Sequence, residues 1–335
     1  MTTPALHPRQ ALFDPGEPAA PSLPVCDHYA GVEERMRKSL QLQARLGPVF
    51  DVTLDNEDGA PVGAEVEHAR LIATLLESDD NRFGRVGVRV LPLGHPRFAE
   101  VLRTVLRAGK PPAYLMLPKP GSAEDIERAI HVVDAAGGHG IPLHALVETH
   151  GALREVMAIA AVPRIESLSF GLMDFVSAHR GAIPLSAMGV PGQFEHPLVV
   201  RAKLEIAAAC HAHGKVPSHC VVTEFKHAAA LQAAATRAAR EFGYTRMWSI
   251  HPSQVETIVE AFSPTTAEVD LAVEILLAAQ DAQWAPIRHR DVLHDRASYR
   301  YFWHLLERAH RTSTADGPQL PAAVREAFFA DTPHP

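Results

Sequence analysis

The chain has 335 residues, 47% hydrophobic and 21% charged, ordinary proportions for a globular protein with a full core. Asp plus Glu number 39 against 32 Lys plus Arg, a net charge of −7 that argues against a general nucleic-acid binder. No apolar run reaches the ~18 residues of a membrane span, and three widely spaced cysteines (Cys26, Cys210, Cys220) build neither a disulfide framework nor a CxxC metal site. The expectation is a cytoplasmic protein with reduced cysteines that binds neither nucleic acid nor membrane.

In chain order, residues 1–21 carry prolines at 4, 8, 15, 18 and 21 and no apolar signal core. They read as a poorly ordered lead-in. Eight short β-rich runs follow: Leu23–Cys26, Val49–Leu54, Val86–Leu91, Ala113–Leu117, Leu143–Val147, Ile165–Phe170, Val216–Val222 and Met247–Ile250. Amphipathic stretches lie between them, for example Pro96–Ala108, Ala123–Ala136, Ala152–Ala160, Leu198–His213 and Glu224–Phe242. Several end at a glycine suited to a helix C-cap: Gly109, Gly137, Gly214 and Gly243. Short apolar runs separated by helices predict parallel strands buried on both faces. Eight such units predict an α/β fold, a (β/α)₈ TIM barrel over residues 22–265, with a doubly wound open sheet as the alternative. Two further helices, Thr266–Gln283 and Ala297–Arg311, predict a C-terminal helical extension over 266–335.

Barrel chemistry belongs at the C-terminal strand ends. Polar residues gather there: Asp55 to Gly59 after the second strand, Arg89 on the third, Lys119 after the fourth, Glu148 after the fifth, Asp174 after the sixth, His219 on the seventh and His251 after the eighth. Glu148 and Asp174 follow adjacent strands, so they can share one Mg²⁺, an ion that takes one or two carboxylates, waters and ligand oxygens. The competing reading makes each a helix-capping acid. Lys119 offers a metal-free alternative, a Schiff base with a keto acid. HExxH, Walker A, GxGxxG and GxSxG are absent.

The order of the pieces resembles the HpcH/HpaI aldolase and citrate lyase β-subunit-like family. The matching stretches are Leu54-Asp55-Asn56-Glu57-Asp58-Gly59, Val88-Arg89-Val90, Leu117-Pro118-Lys119, Val147-Glu148-Thr149, Ser169-Phe170-Gly171-Leu172-Met173-Asp174-Phe175 and Ile250-His251-Pro252-Ser253-Gln254. Ala261-Phe262-Ser263-Pro264 with Glu268 continues the match.

The resemblance implies a Mg²⁺-dependent carbon–carbon lyase acting on a small hydroxy acid or its coenzyme A thioester. A thioesterase or decarboxylase on the same scaffold is the alternative, as is a non-catalytic subunit of a larger lyase complex. It implies that Glu148 and Asp174 hold the metal and that Arg89 binds the substrate carboxylate or carbonyl. Glu57 and Asp58 orient the site, Lys119 binds substrate, and His251 closes the far side of the mouth. It also implies a homotrimer or homohexamer. Departures from the common pattern fall at the substrate and thioester end: Pro24-Val25-Cys26-Asp27-His28-Tyr29-Ala30-Gly31 where a strand ending in a Pro-Gly loop is usual, Leu91 after Val-Arg-Val, Thr245-Arg246-Met247-Trp248-Ser249 before Ile-His-Pro, and no lysine around Val66. The general acid or base is unassigned, with Asp291, Asp295 and Asp316 as the C-terminal acids on offer. The arginine- and aromatic-rich stretch Ile287–Arg311 reads as an amphipathic helix, with phosphate or adenine binding as the alternative. The Gly/Pro-rich segment 178–197 can gate the mouth or be a passive loop.

Overall fold

A computed structural model describes residues 6–17, 21–313 and 319–330. The chain divides into two compact units, residues 20–262 and residues 1–19 with 263–335.

The larger unit is a closed barrel of eight strands: β1 Cys26–Ala30, β2 Phe50–Asp55, β3 Val86–Arg89, β4 Leu115–Leu117, β5 Leu143–Val147, β6 Ile165–Phe170, β7 Val216–His219 and β8 Arg246–Ser249. Every pairing is parallel, and β1 closes the ring by pairing with both β2 and β8. Helices stand between successive strands, such as Glu33–Leu46 after β1 and Pro197–Ala212 before β7. This is the expected (β/α)₈ barrel. Its strands are buried on both sides, so they read as apolar runs rather than alternating ones.

β5 and β6 have the expected bounds. β1 does not. Leu23 and Val25 are buried but precede the ladder, which runs on through Asp27, His28 and Tyr29. Asp27 and His28 hid the strand because polar partners meet them inside, Ser249 Oγ standing 2.9 Å from His28 Nδ1. Asp27 Oδ1 accepts from Thr53 Oγ1 at 2.6 Å and from Tyr114 Oη at 3.1 Å. The wholly buried Arg246 opens β8 and pairs with Asp51 at 2.6 Å and Asp27 at 3.3 Å. Arg85 closes on Asp51 from outside at 2.7 Å. Buried charges persist only when paired in this way. β7 stops at His219, and Cys220 and Val222 are buried beyond the ladder.

The smaller unit packs helices Thr266–Asp281, Arg296–Arg311 and Ala322–Phe329 around Tyr299, Phe302, Trp303 and Leu306. The arginine-rich stretch thus buries Tyr299, Phe302 and Trp303 and leaves Tyr301 exposed, while Arg296 pairs with Asp14 and Arg300 with Glu17. Within the segment expected to be poorly ordered, residues 8–12 form a short helix whose Leu12 is buried in this cluster. Its carbonyl accepts from Arg296 Nε and Arg300 Nε, which fixes the segment. Asp295 caps helix Arg296–Arg311, and Asp291 pairs with Arg288. Asp316 lies outside the described residues. The helices seen by pattern at Thr266 and Ala297 are both present within a few residues.

Candidate active site

The C-terminal strand ends converge on one open cleft of about 350 Å³, lined by Tyr29, Asp55, Arg89, Glu148, Asp174 and Trp248 among others. Asp55 ends β2 and Arg89 ends β3, and the two are cross-strand partners in the ladder. Arg89 Nε and Nη2 each donate to one Asp55 oxygen at 2.6 Å. The Asp55 oxygens also accept from the Glu57 amide at 2.9 Å and the Gly59 amide at 2.7 Å. This folds the acidic loop back over the strand end. A Cβ at Gly59 would sit 2.3 Å from Asp55 Oδ2, and one at Gly31 would sit 2.0 Å from the Gly59 carbonyl oxygen. Only glycine lets the β1 and β2 loops approach this closely.

Arg89 Nη1 reaches Glu57 Oε2 at 3.0 Å. Glu57 Oε1 and Asp58 Oδ2 are held by Lys119 Nζ at 2.5 and 2.8 Å. Burial pushes the Glu57 carboxyl up, against the pull of Arg89 and Lys119. Lys119 has φ of 51°, the left-handed region uncommon for a side-chain-bearing residue. That backbone turn aims its amide at Glu148 Oε1, 2.8 Å away, while its side chain reaches the acidic loop. Its ammonium is already held by carboxylates, an arrangement that disfavours the neutral amine a Schiff base needs.

Glu148 is 3% exposed and follows β5. Its carboxyl is pushed up to about 8, first by burial and then by the charge of Asp174. No cationic side chain pairs with it among the described residues, and its Oε2 accepts no hydrogen bond there. Oε2 instead lies against Gly171, where a Cβ would approach to 2.2 Å. Asp174, in the first turn of helix Leu172–Ala178, is 3.7 Å from Lys119 Nζ. A buried carboxylate beside a second, with no cation of its own, is a costly arrangement that a divalent ion relieves. The residues therefore fit Mg²⁺, with hard oxygen donors from two strand ends and an open cleft for waters and ligand.

Arg89, Glu57, Asp58, Lys119, Glu148 and Asp174 are thus brought together. His251 is not. It is exposed, caps the short helix Pro252–Gln254 and stacks on Phe225 at 5.0 Å. His219 is a core residue: its Nδ1 donates to the Cys220 carbonyl, its ring stacks on Phe194, and burial drives its pKa well down. No residue of segment 178–197 lines the cleft among the described residues; Ile183, Ala187, Gln193 and Phe194 are buried instead. Asp55, Gly171, Tyr29 and Trp248 were not singled out as site residues from sequence. For Asp55 a signal existed, since strand-end acids next to a strand-end arginine pair across a parallel ladder.

A profile of the HpcH/HpaI aldolase/citrate lyase family matches residues 49–252. The structure of a citrate lyase from Burkholderia xenovorans LB400 is 55% identical, covers 97% of this chain and 99% of its own, and superposes with a TM-score of 0.82. The L-malyl-CoA/beta-methylmalyl-CoA lyase of Cereibacter sphaeroides is 28% identical over 288 residues, 79% of this chain and 87% of that protein. The CitE protein of Mycobacterium tuberculosis, solved with magnesium, acetoacetate and coenzyme A, shares the fold at 20% identity, with a TM-score of 0.67 over 86% of this chain and 98% of its own. The profile spans the barrel from β2 past β8 and takes in Asp55, Glu57, Asp58, Arg89, Lys119, Glu148 and Asp174; the chain belongs to the HpcH/HpaI aldolase/citrate lyase family.

Proposed function

We propose that this chain is a Mg²⁺-dependent carbon–carbon lyase that cleaves a small hydroxy acid or its coenzyme A thioester by retro-aldol or retro-Claisen chemistry. The observation that carries this reading is Glu148, buried beside Asp174 with no cation to pair with. These two carboxylates hold the metal. When bound, the ion supplies Lewis-acid stabilisation of the negative charge that carbon–carbon cleavage develops.

The chain's own residues do the rest. Arg89 donates Nε and one Nη2 proton to Asp55 and makes an ion pair with Glu57 through Nη1. N–H groups on both terminal nitrogens remain for an acid's carboxylate, on a guanidinium held in place before the ligand arrives. Glu57 ties Arg89 to Lys119, so one carboxylate links the guanidinium to the residue whose backbone amide donates to Glu148. Lys119 stands beside Asp174 as the second cation of the site, placed to meet substrate.

The lyase activity of the Cereibacter relative makes malyl-type thioesters the first substrates to test. We place the protein in the cytoplasm, in keeping with three buried, unpaired cysteines, and expect a homotrimer or homohexamer. No helix among the described residues is long and apolar enough to cross a membrane. A thermal-shift titration with Mg²⁺ tests the metal site. The parent is expected to gain melting temperature by mass action, and Glu148→Ala and Asp174→Ala are expected not to. Equal responses from all three would overturn it.

A further inference from the structure

Tyr29 stands on β1 with its ring inside the barrel mouth. It stacks on Trp248 at 4.5 Å, with the rings inclined by 27°. Trp248 is itself anchored, its Nε1 donating to Ser169 Oγ at 3.1 Å. The Arg89 guanidinium lies 4.9 Å from the centre of the Tyr29 ring. The ring is therefore fixed by two neighbours that line the same cleft.

The phenol itself is unsatisfied. The Tyr29 hydroxyl is buried and has no hydrogen-bond partner among the described residues. Burying a hydroxyl without a partner is unfavourable, and such groups in a site call for an explanation. None of the carboxylates around it, Asp27, Asp55 and Glu148, accepts from this hydroxyl. Both Asp55 oxygens receive Arg89 and the loop amides, and Glu148 Oε1 receives the Lys119 amide. Burial keeps the phenol protonated, so the group is a donor.

We propose that the Tyr29 hydroxyl donates a hydrogen bond to an oxygen of the bound acid, which makes Tyr29 a further substrate-contacting residue. The inference rests on the acid-binding reading of the cleft. The geometry explains why a polar ring is spent inside an otherwise apolar layer of Met116, Leu146, Trp248 and Val221. Tyr29 thus sets a neutral donor next to the charged guanidinium of Arg89. A site with an unpaired polar group discriminates against ligands that leave it unpaired.

Tyr29→Phe removes the hydroxyl and keeps the ring, the stack and the packing. Isothermal titration of pyruvate into the Mg²⁺-loaded protein compares parent and variant. Without ligand the variant is expected to melt at or above the parent's temperature, because no native hydrogen bond is lost, and to bind Mg²⁺ as the parent does. Its pyruvate affinity is expected to fall about tenfold, the worth of one hydrogen bond to a charged or polar ligand oxygen. Parent-like pyruvate affinity in the variant would overturn the proposal and leave the lyase reading standing. A lowered melting temperature with Mg²⁺ and pyruvate binding weakened together would also overturn it, since that is the pattern of a structural role. If the parent binds neither pyruvate nor oxaloacetate, the proposal and the acid-lyase reading fall together.

Discussion

Asp55 and Arg89 are cross-strand partners whose side chains meet in two hydrogen bonds of 2.6 Å at the mouth of the barrel. Asp55 is 1% and Arg89 8% exposed, so neither charge has water as a substitute partner. The pair aims the guanidinium; the ligand then meets a fork already oriented. Asp55→Asn leaves a buried guanidinium short of one charged acceptor. We expect a stability loss of up to about 3–5 kcal/mol and a fall in kcat/KM of about hundredfold or more from the misplaced fork. Chemical denaturation and steady-state kinetics read both. An active Asp55→Asn variant with parent-like stability would show that Arg89 needs no clamp.

Glu148 couples the site to pH. Its folded-state pKa of about 8 lies above its ordinary value of 4.5. Below about 4.5 the folded and unfolded chains both hold the proton, and no difference arises. As pH rises further, the unfolded chain releases it and the folded chain keeps it, so stability falls until about 8 and then levels. Glu148→Gln lacks this fall. In metal-free buffer the variant's melting temperature is therefore expected to gain on the parent's as pH rises toward 8, with no further gain above. A constant difference across pH would contradict the burial argument.

Gly171→Ala tests the approach of β6 to Glu148. The added Cβ would fall 2.2 Å from Glu148 Oε2, so the carboxylate must shift. The Mg²⁺-dependent thermal shift is expected to shrink or vanish. Gly94→Ala is the control: a Cβ there meets nothing within 4 Å, and the Mg²⁺ response should be retained. Equal responses from the two variants would remove Gly171 from the site.

Lys203 is buried and pairs with no carboxylate among the described residues. Its ammonium donates to Gln193 Oε1 at 3.0 Å and sits 3.7 Å from the centre of the Phe194 ring. Burial lowers its pKa to about 8 from 10.5. Below 8 both folded and unfolded chains are charged there, and the folded state bears the full burial penalty. Between about 8 and 10.5 the folded chain sheds the proton first, so stability from this group rises with pH. Lys203→Met should abolish that rise relative to the parent, with no loss of stability at pH 7. Urea denaturation of both proteins at pH 7 and pH 10 checks it.

The barrel was legible because apolar strands and helical spacers recur eight times, and β5 and β6 fell where their apolar runs lie. β1 was displaced because Asp27 and Tyr29 face interior partners, one ionic and one aromatic, that no local pattern reveals. Arg89, Glu148 and Asp174 stood out as charges at strand ends, and the structure gathers them. His251 stood out equally, yet its ring is used as a helix cap. Asp55 lay inside a motif that was read, but its pairing with Arg89 appears only once β2 and β3 are in register. The unpaired Tyr29 hydroxyl needs three dimensions altogether.

Product analysis on the purified chain tests the central claim most directly. Malyl-, citramalyl- and citryl-CoA and the corresponding free acids are each incubated with Mg²⁺, with the Glu148→Ala variant as control. The account predicts that at least one substrate is split at a carbon–carbon bond, giving a 2-oxo acid and the acyl fragment in equal amounts. Chelation of the metal and Glu148→Ala should both stop it. Release of free coenzyme A with the hydroxy acid intact, CO₂ as the product, or no turnover of any of them would contradict it.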